Sequence, residues 1–195
     1  HGSAGILGPL LDVPELLVWG SESRALILGT LDYIVSNQFE SGNFPSEYYD
    51  PSEDELVQWD HGAPGVMGVL SKAAVLFGRQ DYMDSARLAA DCTWSRGLLY
   101  KGLQLCHGIV GNTYMQIYMY KMTGDQKFLS RAYSFMQFLA DTPEMSDVDQ
   151  MRKPTPNPYG FYGGSWEGAI MVWVDMLTSQ EDPMRMSMPG YEPAI

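Results

Sequence analysis

A cysteine and a histidine stand side by side at Cys106 and His107, followed closely by Gly108 and Gly111. Thiolate and imidazole groups are both ligands for a borderline-soft metal ion, and they favour zinc over magnesium or calcium. Two adjacent residues can bind one ion only where the backbone turns sharply, and a glycine at position 108 permits such a turn. The segment therefore predicts a metal site suited to thiol chemistry.

A second copy of this turn lies 46 residues earlier, where residues 60–65 read Asp-His-Gly-Ala-Pro-Gly. In this alignment Asp60 falls on Cys106 and His61 falls on His107. The register continues through the residues that follow each turn, which indicates a repeat made of two helices. Repeated helical hairpins stack or close into a ring. We therefore expect an all-α protein.

Hydrophobic periodicity, helix-capping residues and helix-breaking residues predict the helices that position these turns. A turn at 1–5 should lead into a first helix, and the prolines between 143 and 158 predict a loop over 141–160. Further helices are expected at 21–39, 66–77, 80–96, 107–121 and 126–139, and from about 163 to 177. Glu167-Gly168 opens the last helix where His-Gly opens the earlier ones.

In a ring of hairpins the glycine turns would all open at one rim. Six side chains would then gather there: His1, Asp60, His61, Cys106, His107 and Glu167. All three histidines of the chain lie in these turns. With Asp60, Cys106 and His107 as ligands, one position on a zinc ion stays open, which is the pattern of catalytic zinc sites. Zinc lowers the pKa of an incoming thiol and so generates the nucleophilic thiolate near neutral pH.

Composition excludes several classes of function. The net charge of −12 disfavours binding to nucleic acids or to anionic membrane surfaces. No apolar run is long enough to predict a membrane span, and two cysteines are too few for a disulfide framework. We expect a cytoplasmic protein. Because the chain starts at His1 without an initiator methionine, we also expect it to be part of a longer protein.

Several motifs together resemble those of the lanthionine synthetase C-like (LanC-like) family, the eukaryotic relatives of bacterial lantibiotic cyclases. The resemblance extends from His1 to about Leu177. The motifs are His-Gly-x-Ala-Gly at 1–5, Ser-Gly-Asn-Phe-Pro at 41–45, Gln-Trp-Asp-His-Gly-Ala-Pro-Gly-Val at 58–66, Lys101 with Leu-Cys-His-Gly at 105–108, Gly-Asn at 111–112 and Trp-Glu-Gly at 166–168.

The resemblance implies an α/α toroid of about seven hairpins, of which this chain would supply the C-terminal half or more. It implies one central zinc ion. Family members add a thiol to dehydroalanine or dehydrobutyrine, and the eukaryotic branch uses glutathione. The expected partners are therefore glutathione or a peptide thiol, and a peptide or protein that contains dehydroamino acids. We assign residues 1–180 to the toroid and 181–195 to a Met- and Pro-rich tail that we expect to be partly ordered.

The resemblance also implies roles for individual residues. Cys106 and His107 match two zinc ligands, and His1 matches a histidine that acts as acid or base beside the metal. Lys101 matches a lysine associated with glutathione, and Arg152 is aligned with an arginine of the same role. Trp59 matches the aromatic residue before the first ligand.

Asp60 departs from the family pattern, which has a cysteine at this position. A carboxylate can bind zinc, so a site with oxygen, sulfur and nitrogen ligands is one interpretation. The alternative is a catalytically compromised glutathione-binding or scaffold protein that has lost its metal. A third, weaker alternative is a carbohydrate-processing toroid in which Glu167 and Asp60 are acid and base; it leaves Cys106 and His107 without a role.

Overall fold

Seven α-helices account for most of the chain described by the computed structural model, which covers residues 1–47, 54–99, 101, 103–142, 166–188 and 190–191. They are α1 (Gly2–Leu10), α2 (Glu22–Ser36), α3 (Ala63–Phe77), α4 (Gln80–Arg96), α5 (Ile109–Thr123), α6 (Gln126–Asp141) and α7 (Glu167–Thr178). Short 3-10 helices lie at Pro14–Leu17 and Pro183–Arg185. Within these ranges β-pairing is limited to two isolated bridges. The predicted all-α class is confirmed.

The predicted repeat is present as two consecutive hairpins, α3–α4 and α5–α6. Helices α3 and α5 have the same length of 15 residues and the same 46-residue offset as the turns before them. Each ends at a glycine in the left-handed conformation, Gly78 with φ 65° and Gly124 with φ 69°. Such a glycine satisfies the final carbonyls of a helix without the steric cost that a side chain would add.

Helices α1, α3, α5 and α7 form an inner row, in which each contacts the next. Helix α5 is buried along almost its whole length, whereas α4 and α6 each bury one face and leave the other exposed. Contacts at their beginnings join three of them: the ring centroids of His1 and His61 lie 5.0 Å apart, and the N–H of Asp60 donates to the carbonyl of Cys106. The beginnings of these inner helices therefore lie at the same end of the molecule, as expected for a portion of an α/α toroid.

Some boundaries differ from those predicted. Helix α2 ends at Ser36 rather than at residue 39, because the N–H groups of Asn37 and Gln38 bond to carbonyls three residues back instead of four. Helix α5 begins at Ile109 rather than at His107, because Gly108 is extended, with φ −108° and ψ −175°. Any residue can adopt this conformation, so the glycine there does not supply the freedom that turns the chain.

The predicted tail lies partly within the described residues. Met186 and Met188 are buried, and Tyr191 contacts the rings of Trp59 and Tyr118. The division into a toroid at 1–180 and a tail at 181–195 stays a prediction. None of the described helices combines the length and the apolar character that crossing a membrane requires.

Candidate metal centre

Backbone hydrogen bonds hold the two glycine turns together. The N–H of Asp60 donates to the carbonyl of Cys106 over 3.0 Å. Gln58 and His61 exchange two N–H···O bonds of 3.0 and 3.1 Å, which close the first turn tightly. Asp60 lies inside this closed turn, and its direct link to Cys106 fixes one turn against the other.

Close backbone approaches require glycine beside both turns. Gly62 has φ 92°, and a Cβ atom at this position would lie 2.0 Å from the carbonyl oxygen of Leu56. A Cβ atom at Gly111 would lie 1.8 Å from the carbonyl oxygen of Leu105. Any side chain would therefore push the beginnings of α3 and α5 away from the segments that precede them.

Two buried asparagines form hydrogen bonds that hold the segments around both glycine turns in place. The side-chain oxygen of Asn43 accepts a bond of 2.8 Å from the N–H of Ala63, and its amide group donates to the carbonyl of Leu56. The amide group of Asn112 donates to the carbonyls of Val57 and Gly97, each at 3.0 Å. These contacts give a structural reason for two of the sequence motifs, those at 41–45 and 111–112.

Asp60, Cys106 and His107 meet at the centre of these contacts. One potential ligand atom from each residue lies within 4.8 Å of the other two. Nδ1 of His107 is 2.9 Å from Oδ2 of Asp60, and Nε2 of the same ring is 3.4 Å from Sγ of Cys106. The structure thus brings the three predicted ligands to one point, although they come from two different hairpins.

The order thiol, imidazole, carboxylate is also that of a nucleophilic Cys–His–Asp triad. Burial and the negative charge of Asp60 raise the pKa of the Cys106 thiol to about 11. A nucleophilic cysteine needs the opposite shift. The three groups are therefore better suited to binding a cation, which would favour the thiolate, than to attack by Cys106 itself.

The Asp60 carboxylate is only 5% exposed. Its contacts within the described residues are the two imidazoles of His61 and His107 and the amide of Gln58, which donates to Oδ1 over 2.8 Å. No lysine or arginine in that part of the chain forms an ion pair with it. A buried carboxylate is costly unless a positive charge or a metal ion compensates it, so this environment favours a bound cation.

Lys101 joins the same network through Gln58, whose side-chain oxygen accepts a bond of 2.5 Å from the lysine ammonium group. The predicted thiol-binding lysine and the predicted metal ligand therefore share one amide as a common neighbour. Sequence reasoning assigned no role to Gln58. Gln58 is the first residue of the motif at 58–66 and stands two residues before Asp60. This position was the signal that could have identified it.

A pocket of about 170 Å³, open to solvent on one side, adjoins this site. His1, Trp59, Asp60 and His61 contribute to its lining. His1 is exposed, and its ring centroid is 5.0 Å from that of His61. Tyr191 also lines the pocket, a role that the sequence of the tail did not indicate.

One expected member of the site, Glu167, lies apart from the potential metal ligands. Glu167 is exposed at the first position of α7 and belongs to neither group of potential metal ligands. The beginning of α7 is nonetheless near, because a Cβ atom at Gly168 would lie 2.9 Å from the side chain of Leu105. Arg152 lies outside the described residues, and its role stays a prediction.

Comparison with known proteins gives two kinds of match. The family model described as lanthionine synthetase C-like protein matches residues 1–190. The LanC-like protein GCL1 of Arabidopsis thaliana is 35% identical over an alignment of 195 positions, which covers 98% of this chain and 42% of that protein. The glutathione S-transferase LANCL1 of Danio rerio is 33% identical over 192 residues, 98% of this chain and 44% of that protein. The chain thus spans less than half the length of these curated relatives.

Proposed function

Because this chain belongs to the lanthionine synthetase C-like family, we propose that it contributes to zinc-dependent thioether formation. The reaction adds a thiol, with glutathione as the expected one, to dehydroalanine or dehydrobutyrine residues of peptides or proteins. The Danio rerio relative is named a glutathione S-transferase, which supports glutathione as the thiol. We place this activity in the cytoplasm.

The observation that carries the proposal is the convergence of Asp60, Cys106 and His107 around one buried carboxylate. Tetrahedral zinc with bonds of about 2.0–2.3 Å sets its ligand atoms roughly 3.3–3.8 Å apart. The separation of 3.4 Å between Cys106 and Nε2 of His107 matches this range. Asp60 faces the other ring nitrogen, Nδ1, so its carboxylate or the imidazole must turn for all three residues to bind one ion. Bound zinc would supply Lewis acidity, which lowers the pKa of the substrate thiol.

The remaining residues would bind the substrates and move a proton. The ammonium group of Lys101 would bind a carboxylate of glutathione, and Trp59 would form a wall of the acceptor pocket. The thiol would first lose its proton to His1 or to solvent. Attack by the sulfur on the β-carbon of a dehydroamino acid then forms the C–S bond and shifts the alkene electrons to the α-carbon and its carbonyl. His1 would then donate the proton that completes the α-carbon.

Metal content and turnover test the proposal together. Purified without added metal, the full chain should contain one zinc ion by mass spectrometry and should convert a dehydroalanine peptide and glutathione to the thioether. Cys106→Ala should lose both properties. Cys92→Ala is the matched control, because Cys92 is the other free thiol of the chain and is buried in α4. Zinc that stays undiminished in Cys106→Ala would contradict the ligand assignment.

The catalytically compromised alternative is favoured by one observation, the oxygen donor at Asp60. Asp60→Cys separates the two possibilities. If the site has lost its ability to bind zinc, this substitution should increase zinc content and activity. If the site uses its carboxylate, the substitution should lower activity, because the Oδ atoms bonded to Gln58 and His107 are lost.

A further inference from the structure

The two oxygens of the Asp60 carboxylate face different partners. Oδ2 lies 2.9 Å from Nδ1 of His107, on the side of the proposed zinc ligands. Oδ1 lies 3.3 Å from Nδ1 of His61, on the side of the pocket. A carboxylate can therefore serve two metal ions at once, one through each oxygen.

A second group of donors lies on the pocket side. Potential ligand atoms of His1, Asp60 and His61 are all within 4.8 Å of one another. The rings of His1 and His61 meet edge to face, at an interplanar angle of 71°. Neither imidazole lies in the donor group formed with Cys106 and His107.

The surroundings of the His61 ring indicate that this group of donors lacks a bound cation. Its Nδ1 atom is buried and makes no hydrogen bond within the described residues. The distance of 3.3 Å to Asp60 is an electrostatic contact without hydrogen-bond geometry. Buried polar atoms are almost always partnered, so an unpartnered nitrogen beside a buried carboxylate is evidence for a missing cation.

We propose that His1, Asp60 and His61 form a second metal site, which shares the Asp60 carboxylate with the first. Two imidazoles and one carboxylate suit a divalent first-row transition-metal ion. Paired metal sites hold their ions about 3.5–4 Å apart, a separation that a bridging carboxylate spans. The negative charges of Asp60 and of an ionised Cys106 would reduce the repulsion between the two ions.

Occupancy of this site bears on proton transfer. An imidazole nitrogen that binds a metal ion has no lone pair left to carry a proton. A second ion would therefore remove His1 from its proposed role as proton donor. An excess of metal should inhibit thioether formation while the first ion stays bound.

Titration with Co²⁺ alone tests the second site without any need for activity. The full chain should saturate at two ions, measured by equilibrium dialysis and by absorption. Cys106→Ser should retain one ion and lose the thiolate-to-cobalt charge-transfer band. His61→Ala should also retain one ion but keep that band, and the exposed His1→Ala gives the same test with little risk to folding. Cys92→Ala should still bind two.

Saturation of the wild-type chain at one ion or at none overturns the second site. Two ions that persist in both His1→Ala and His61→Ala also overturn it. The proposed function fails on a different readout, namely the absence of the charge-transfer band and of thioether product. The two proposals share Asp60 but can therefore fail separately.

Discussion

Asp60 determines the chemistry of the site at the scale of single residues. Its side chain is almost fully buried, accepts a hydrogen bond from the amide of Gln58 and lies between two sets of potential metal ligands. A cysteine at this position would present one sulfur atom, whereas the carboxylate presents two oxygens held in different directions. The orientation of these oxygens depends on Gln58, which therefore acts as a positioning residue.

Replacing Gln58 with alanine should weaken metal binding by about 10–100-fold, the usual effect of removing a group that orients a ligand. The substitution removes the donor to Oδ1 of Asp60 and the acceptor for Lys101. Competition with a chromophoric chelator measures the affinity. Gln137→Ala is the control, since it breaks a similar amide–carboxylate bond, to Asp141 on the exposed surface of α6. Equal affinities of the two variants would contradict the role of Gln58.

At the scale of elements, the turns are built by backbone contacts rather than by side chains. The beginnings of α3 and α5 approach preceding carbonyls so closely that only a hydrogen atom fits at Gly62 and Gly111. This packing brings Asp60 and Cys106 into register. The geometry of the site is thus sensitive to changes that touch none of its ligands.

Gly62→Ala should destabilise the protein by at least about 2 kcal/mol, because it combines a positive φ with a clash against the carbonyl of Leu56. Two controls separate these effects in chemical denaturation. Gly78→Ala carries only the left-handed strain and should cost about 1–2 kcal/mol. Gly29→Ala lies in an exposed part of α2 with no neighbour in the way and should stabilise by about 0.5–1 kcal/mol. If Gly62→Ala destabilises the protein no more than Gly78→Ala does, the backbone at Leu56 moves far enough to relieve the clash.

The loop before the first turn is tied to α4 by Asp54, which suggests a pH-dependent contribution to stability. Burial alone would raise the pKa of this carboxyl, but hydrogen bonds from Ser41, Arg96 and Asn43 hold it below its ordinary value of 3.8. The folded protein therefore binds its proton less readily than the unfolded chain does. The stabilisation is complete above the ordinary pKa and is lost as the pH falls through the folded one.

Asp54→Asn should accordingly lower the melting temperature at pH 7, with a difference from wild type that shrinks below about pH 4. Thermal unfolding followed by circular dichroism across this range measures the difference. Glu40→Gln, which removes one exposed negative charge, is the control. A difference that stayed constant with pH would show that the charge of Asp54 does not contribute.

At the scale of the whole molecule, the inner row of helices is joined by partly buried polar contacts as well as by apolar packing. The hydroxyl of Tyr114 on α5 donates to the Asp175 carboxylate on α7 over 2.9 Å. The same carboxylate accepts from the N–H of Ser187 over 3.3 Å. Asp175 therefore links the second hairpin, the last helix and the segment that follows it.

Tyr114→Phe should destabilise the protein by about 1.5–3 kcal/mol, since it removes a hydrogen bond to a carboxylate whose other contact is longer. Urea denaturation measures the loss. Tyr133→Phe on the exposed face of α6 should leave the free energy of unfolding nearly unchanged. If both variants unfold at the same urea concentration, the link through Asp175 is not important for stability.

Much of this organisation could be predicted from the sequence. The repeat, the glycine caps at Gly78 and Gly124 and the helical class all follow from local patterns, because periodicity and backbone conformation act over a few residues. The same patterns carried the family resemblance, which the match over residues 1–190 confirms. The start of α5 was misplaced, because an extended Gly108 cannot be distinguished from a turning one by its letter alone.

The sequence by itself determined which donors the chain carries and that two equivalent turns present them. Only the tertiary structure decided that Gln58 connects Asp60 to Lys101 and that the two oxygens of Asp60 face different partners. It also showed that a buried nitrogen of His61 makes no hydrogen bond to any residue that the structure describes. These relations depend on distances between separate hairpins and on the rotation of single side chains. Both are fixed by the packing of the inner helices, and neither is encoded in spacing along the chain.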